Sequence, residues 1–353
     1  SGYRGAAPAP DPISEIICGI GETPAAPQQA TIIAADGSQI YPDQHAPAVY
    51  YLINLGAFAY FHGQPRVPYQ ATFPNLVYNE TALFDKDGRA ITNQTVNARR
   101  SVQEMALLAD MVWELRTEAR PLIAFHDGGL LKFFGANEVA GAGQIEHDYL
   151  NALQKLHDGG AVLLGFSERS RSTNVISLLH LLSLPDQAVT DANLKTNGEL
   201  EGLLDTMLFG AFLEPGWRSA IFTQNSPQNK DYKDQRGSNF EIGFFYINVA
   251  ETNAPRPIIV RVELPMWVAQ DAAAVDAAHA LIMAQCGIQG RKRYPYALTR
   301  ADELAYISSV EKAQVDEMIR IEMRRHAIAP ESSNKLQTKG LARADRRQHR
   351  LRK

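Results

Sequence analysis

The chain has 353 residues, of which 45% are hydrophobic and 21% charged, a balance that excludes a mostly disordered protein and leaves room for one large domain or two small ones. Its net charge of −4 is unevenly placed: residues 335–353 hold eight Lys or Arg against one acid, Asp345, giving a tail of +7 on a body of −11. Two distant cysteines, Cys18 and Cys286, argue against a disulfide framework or a zinc site, and the most apolar stretch, at 48–61, is too short to span a bilayer.

Residues 1–30 contain Pro8, Pro10, Pro12, Pro24 and Pro27 among many alanines. They predict a flexible leader with a short helix near 13–17. TIIAAD at 31–36, closed by Gly37, is the first expected strand. Apolar and aromatic runs at 49–61 and 71–78 add antiparallel partners, although Asn54 interrupts the first of them. A helix is expected over 95–118, with Val102, Met105, Leu108, Ala109, Val112 and Leu115 on one face. A buried strand at 121–127, a helix at 145–158, a strand at 161–168 and a helix at 172–184 come next. A helix near 198–212, strands at 240–249 and 257–264, a helix at 271–285 and a long helix at 300–326 complete the series. This alternation predicts an α/β fold with a mixed sheet and helices on its faces. The expected organisation is a leader at 1–30, one domain at 31–330 and a basic tail at 331–353. Such a basic arm commonly meets nucleic acid or an acidic partner. With no opening signal segment, the expected setting is reducing and cytoplasmic, without a membrane.

Two acids stand at strand ends. Asp36 in IIAADGSQI and Asp127 in LIAFHDGG each close a buried strand and precede glycine, where open α/β sheets place their sites. Asp-Gly is equally a turn pair. If the two strands are neighbours, the carboxylates repel each other, and a divalent cation is the usual resolution. Glu104 borders the apolar stripe of the first long helix, either as a site acid or as a solvated helical residue. Asp302 is placed near the start of the last helix, as a site acid or a dipole-complementing one.

Acids without a Cys/His cluster point to hard, oxygen-seeking ions such as Mn2+ or Mg2+, and paired carboxylate-held ions suit phosphoryl chemistry. Arg169 and Arg171 precede the helix at 172–184 and form either a phosphate seat at its N-terminus or an exposed basic turn. His126 is expected to be structural, and Phe244, Phe245 and Tyr246 core. No GxxxxGK[ST], strand-following GxGxxG, GxSxG or HExxH occurs, which disfavours an NTPase, a Rossmann dehydrogenase and an α/β hydrolase.

The ordered series IIAADGSQI, RRSVQEMALL, IAFHDGGLL, LLGFSERSRSTNVISLL, GFFYINV, VELPMW, RYPYALTRADELAYIS and SSNKLQTKG, over roughly residues 30 to 340, resembles the NurA nuclease family. The resemblance implies an RNase H-like sheet with extra helical and strand insertions and a manganese site, with two ions expected. It also implies a homodimer working on DNA with a HerA-type hexameric translocase, by 5′–3′ exonuclease and single-strand endonuclease action in end resection and repair. On the family's pattern Asp36, Glu104 and Asp127 resemble metal ligands, and Tyr294 the active-site tyrosine. Asp302 stands where archaeal members usually carry His. A lysine of those relatives falls near 167–169, where Arg169 or Arg171 is expected to replace it. A metal-dependent DNA nuclease is the leading expectation. The alternatives are a catalytically weak adaptor capping a DNA translocase and an RNase H-like enzyme acting on RNA.

Overall fold

Three antiparallel strands open the main sheet: β1 (Ala30–Ile40), β2 (Tyr51–His62) and β3 (Tyr69–Val77). The computed structural model describes residues 3–326 apart from 11–12, 14, 16–19, 44–45, 47, 86–87 and 233–239. The basic tail at 331–353 lies outside the described residues. β1 does not stop at Gly37. Its ladder with β2 runs unbroken from Ala30↔His62 to Ile40↔Leu52, so the Asp36–Gly37 pair is strand and not turn.

Helix α1 (Asn93–Glu114) leads to β4 (Leu122–Asp127), which pairs parallel to β1. Helix α2 (Ala142–Asp158) then leads to β5 (Val162–Ser167), parallel to β4. Helix α3 (Asn174–Ser183) follows, and β6 (Ile242–Asn248) and β7 (Ile259–Pro265) extend the sheet antiparallel on β5, in the order β6-β7-β5-β4-β1-β2-β3. Helices α4 (Ala272–Ile288), α5 (Tyr296–Ala305) and α6 (Ser309–Arg325) end the described chain. Parallel central strands are covered on both sides, so they are apolar throughout.

The two sides divide cleanly. Ile33, Ala35, Ala124 and Leu163 pack with Val102, Met105 and Leu108 of α1 and Tyr149 and Leu153 of α2. Ala34, Phe125, Leu164 and Val262 pack with Leu281 of α4 and Leu298 and Ala301 of α5. Each fully buried Leu, Ile or Phe contributes about 1.5–3 kcal/mol to this arrangement. Phe244, Phe245 and Tyr246 are core, as expected.

Three expectations are corrected. The helix foreseen over 300–326 is two helices, α5 and α6. A capping box at Ser308 and Glu311 starts the second, with Ser308 Oγ accepting from Glu311 N at 3.1 Å. The helix foreseen near 198–212 shrinks to Asp205–Gly210. Gly198 and Gly202 adopt φ of 55° and 87° there, a region glycine enters freely and a helix cannot use.

The start of the chain is tied down where it is described, not loose. Ala6–Pro8 pairs with Phe222–Gln224, Ile20–Gly21 pairs with Arg218–Ser219, and Glu15 takes the Ile221 N–H at 2.7 Å. Backbone pairing with an edge outweighs the proline-rich composition. The helix expected near 13–17 falls largely outside the described residues. Among the described residues, no helix is long and apolar enough to cross a membrane.

Candidate active site

Asp36 and Asp127 are brought together by strand register. Ala35 and His126 are the last parallel partners of β1 and β4, so the next residue on each strand is an aspartate, about one interstrand spacing away, roughly 4.8 Å. Alternation sends both to the α4/α5 side, the face of Ala34 and Phe125. His126 points to the other face and is fully buried, as its structural reading requires.

Asp302 arrives from α5. It lies in the second half of that helix and not in its first turn, so the dipole-capping reading is set aside. Two contacts hold the end of α5 over the sheet: Ser38 Oγ donates to the Ala305 carbonyl at 2.5 Å, and Asn54 Nδ2 donates to the same oxygen at 2.8 Å. Asn54, the polar break in an apolar strand, thus serves as a helix C-terminal cap.

Glu104 reaches the site from the opposite face and is only 4% exposed, so it is no solvated helical residue. Gly37 makes the space: a Cβ there would lie 2.7 Å from Glu104 Oε1 and 2.9 Å from Arg100 Cγ. Arg100 donates to the Gly37 carbonyl at 2.6 Å and stands 3.5 Å from Glu104, a charge contact without hydrogen-bond geometry. Glu104 Oε1 therefore remains buried without a hydrogen-bond partner.

The charges act on one another. Burial raises Asp36 to about 6, helped by Asp127 and Asp302 and opposed by the Gly37 N–H, which donates to Asp36 Oδ1 at 2.7 Å, and by Arg100. Burial also pushes Glu104 up, with Asp36 and Asp127 adding to the shift and Arg100 and Lys132 opposing it. Tyr294 donates its hydroxyl to Asp127 Oδ1 at 2.8 Å, and its ring meets Phe166 edge-on at 5.2 Å. Burial and Asp127 drive its acidity well below that of a free phenol, so the proton stays on the oxygen.

These groups carry the donor chemistry of a hard divalent site: oxygen ligands, an orphaned buried carboxylate oxygen and negative charge that burial and neighbouring acids disfavour. Asp36 and Asp127, one interstrand spacing apart, are the pair that would hold such an ion, with Glu104 and Asp302 as the further acids whose charges reach Asp36. Among the described residues, however, no three His, Cys, Asp or Glu side chains converge into a ready cage. Asp127 is engaged by Tyr294 and Asp36 by its own Gly37 N–H.

The arginines sit elsewhere. Arg169 and Arg171 are exposed and line a cleft at the end of β5. The helix N-terminus expected to seat phosphate is taken: Val175 and Ile176 N–H both donate to Asp205 Oδ1 at 3.0 Å. That buried carboxylate also accepts from Tyr246 at 2.7 Å. The cations acting on Asp36 and Glu104 are instead Arg100 and Lys132.

Lys132 was not among the residues singled out by sequence. Its backbone is clasped by Tyr232, whose hydroxyl donates to Lys132 O at 3.0 Å and accepts from Lys132 N at 3.2 Å. Burial lowers its affinity for the proton, and Glu104, Glu263 and Asp127 counter that. The signal available in sequence was a lysine closing the apolar end of DGGLLK, close behind Asp127.

Residues 30–307 match the family model for the NurA domain. No curated protein matches the sequence. The structure is similar to that of the NurA nuclease from Sulfolobus solfataricus, with 12% identity and a TM-score of 0.53 over 87% of this chain and 88% of that one. It also matches the catalytic domain of human endonuclease V at 14% identity and a TM-score of 0.35, covering 82% of this chain and 84% of that one. Endonuclease V of Ciona intestinalis, in complex with a DNA 24mer, matches at 10% identity and a TM-score of 0.29 over 82% and 87%. The likeness to the Sulfolobus protein extends to fold: an RNase H-like mixed sheet flanked by helices.

Proposed function

This chain belongs to the NurA family, and on that premise we propose that it is a divalent-metal-dependent DNA nuclease hydrolysing phosphodiester bonds. The observation that carries the reading is the meeting of Asp36 and Asp127 where the parallel pairing of their adjacent strands ends, with the charges of Glu104 and Asp302 acting on Asp36 or on its neighbour. Manganese is the expected ion and magnesium its substitute, in a two-ion site. Cleavage of single and double strands, 5′–3′ exonuclease and single-strand endonuclease action, a homodimeric state and a HerA-type translocase partner belong to the same proposal. They follow from the family resemblance and serve DNA end resection.

Each side chain has a part in such a site. Asp36 and Asp127 supply the central carboxylates, and Glu104 and Asp302 add flanking ones. Bound ions supply activation of water and neutralisation of charge developing on the phosphate. Tyr294, kept protonated at the edge of the site, is a hydrogen-bond donor to Asp127 in the free protein and to a phosphate oxygen when one is present. Arg100 and Lys132 offset the acidic charge without entering the carboxylate pair.

The test is degradation of end-labelled linear and circular DNA with Mn2+ or Mg2+, with and without a HerA-type partner. Metal-dependent degradation that disappears in Asp36→Ala is expected. Full activity of that variant in clean protein would overturn the assignment.

A second reading, an adaptor that caps a translocase without cutting, draws on the absence of three converging ligands among the described residues. Calorimetry separates the two. A nuclease takes up Mn2+ in a manner lost in Asp36→Asn, whereas an adaptor takes up none.

A further inference from the structure

We infer that the cleft beside the acidic site, built around the buried guanidinium of Arg261, is a second phosphate-binding subsite for the nucleic-acid strand. It rests on the nuclease reading and deepens it, by naming where the strand runs once it leaves the cleaved bond. The cleft has a volume of about 560 Å3 and is lined by Arg169, Arg171, Ser172, Asn174, Arg261 and Glu263 among others.

Arg261 is only 5% exposed, and its placement is over-determined. Its Nε donates to Glu263 Oε1 at 2.9 Å. Its Nη1 donates to Asn174 Oδ1 at 3.1 Å, Ser172 Oγ at 3.2 Å and Tyr246 OH at 3.4 Å. The guanidinium carbon lies 3.6 Å from the centre of the Phe244 ring. The remaining nitrogen, Nη2, takes no protein partner among the described residues and is not sealed from solvent. A guanidinium fixed on one edge and open on the other is preorganised to receive a phosphate oxygen, because little side-chain freedom is lost on binding.

Glu263 does not close this seat. Both its oxygens are engaged, Oε1 by Arg261 and Oε2 by the Leu130 N–H at 2.7 Å. Arg169 and Arg171 stand exposed on the rim and form no ion pair among the described residues. Their charge is thus available to the same ligand.

Position argues for a strand and not a free anion. Asp127 is in register with Phe166, and Phe166 with Val262. Val262 shares the face of Phe166 and of the two aspartates, so Arg261 and Glu263, which flank it, point to the opposite face, the one from which Glu104 reaches the site. The cleft lies two strands away, roughly 10 Å along the carboxyl edge of the sheet. The Glu263–Leu130 bond anchors the cleft to the loop that follows Asp127. A strand whose bond is cut at Asp36 and Asp127 would pass around the carboxyl ends of β4 and β5, past the Leu130 loop, and carry a phosphodiester beyond the cut to Arg261.

The experiment uses the full chain with a fluorescent single-stranded oligonucleotide in EDTA, so that binding is read without cleavage, across a salt series. Two variants are compared with the wild type. R169A/R171A alters only exposed residues. R261Q/E263Q removes the buried pair together, leaving net charge unchanged and no orphaned buried ion; circular dichroism confirms that each is folded.

R261Q/E263Q should weaken binding about tenfold and lower the slope of log affinity against log salt by about 0.7, the loss of one phosphate contact; R169A/R171A should lower it by about 1.4. An unchanged slope and affinity in R261Q/E263Q overturns the subsite. Competition by inorganic phosphate as effective as competition by oligonucleotide overturns the strand assignment. If the wild type still degrades DNA in either case, only this inference falls. If the wild type neither binds nor degrades DNA, the nuclease reading falls with it.

Discussion

Asp36 faces Gly56 across the β1–β2 ladder, and the missing side chain of Gly56 is what lets helix α5 rest on the sheet beside that acid. A Cβ at 56 would collide with the Ala301 carbonyl oxygen and press on the backbone at Ala305. The helix so seated brings Asp302 near enough to raise Asp36. A packing requirement on one strand therefore sets the electrostatics of its partner.

Gly56→Ala is expected to lift α5 and cost about 1–3 kcal/mol, the usual range for overpacking against backbone that cannot yield. Thermal denaturation would show it. Metal uptake should weaken as well, because Asp302 moves off; a variant with wild-type melting and wild-type uptake would contradict the argument.

Asp36→Asn should lower metal-dependent DNA degradation by roughly a hundredfold or more, while the metal-free protein melts no earlier than the wild type. The amide removes a charge that burial, Asp127 and Asp302 all disfavour. Early melting of this variant in EDTA would mean that Asp36 is a structural residue.

Tyr294→Phe keeps the edge-on packing with Phe166 and removes only the donor to Asp127. Its stability should change by no more than about 1.5 kcal/mol, with activity reduced about tenfold or more. Unchanged activity would assign the hydroxyl no role beyond orienting Asp127 in the free protein.

His279 provides a pH test away from the acids. It is buried, with Nε2 bonded to the Gly216 carbonyl at 2.8 Å and Nδ1 without a partner. Burial lowers it from 6.5 to about 4, Arg218 adds to the lowering, and the Gly216 carbonyl and Asp276 oppose it. The depressed histidine contributes its full stability above pH 6.5, and that contribution is lost progressively as pH falls towards 4 and below, because the unfolded chain binds the proton first. His279→Gln, which keeps a donor and does not charge, should show less acid destabilisation between pH 6.5 and 4. Parallel pH curves for the two proteins would rule the mechanism out.

Removing 335–353 should weaken binding to DNA or to an acidic partner, given the +7 carried there, and leave Mn2+ uptake unchanged. Loss of uptake in the truncated protein would place the tail at the site.

Much of the sheet was legible because apolar runs have periods that a strand or helix must satisfy. The strands around 31–36, 121–127 and 161–168 and the stripe from Val102 to Val112 appear where the pattern puts them. Breaks were harder to read. The division between α5 and α6 depends on Ser308 competing for the N-terminus of a new helix, and Asn54 becomes intelligible only with the Ala305 carbonyl above it. Both depend on partners distant in the chain or on a local choice between two helical outcomes.

The sequence by itself determined that Asp36 and Asp127 follow buried apolar strand runs and that Glu104 borders an apolar helical face, since each statement concerns neighbours along one element; that β1 continues past Asp36 to Ile40 was not legible there. Tertiary structure alone decided that the strands carrying these aspartates are adjacent and parallel, and that the gap at Gly37 admits Glu104. It also put the charge of Lys132 against Glu104 and Asp127, while the helix terminus expected to seat phosphate is occupied by Asp205. Those outcomes turn on side chains from separate elements competing for one buried space and one set of backbone N–H groups. Periodicity carries no information about that competition.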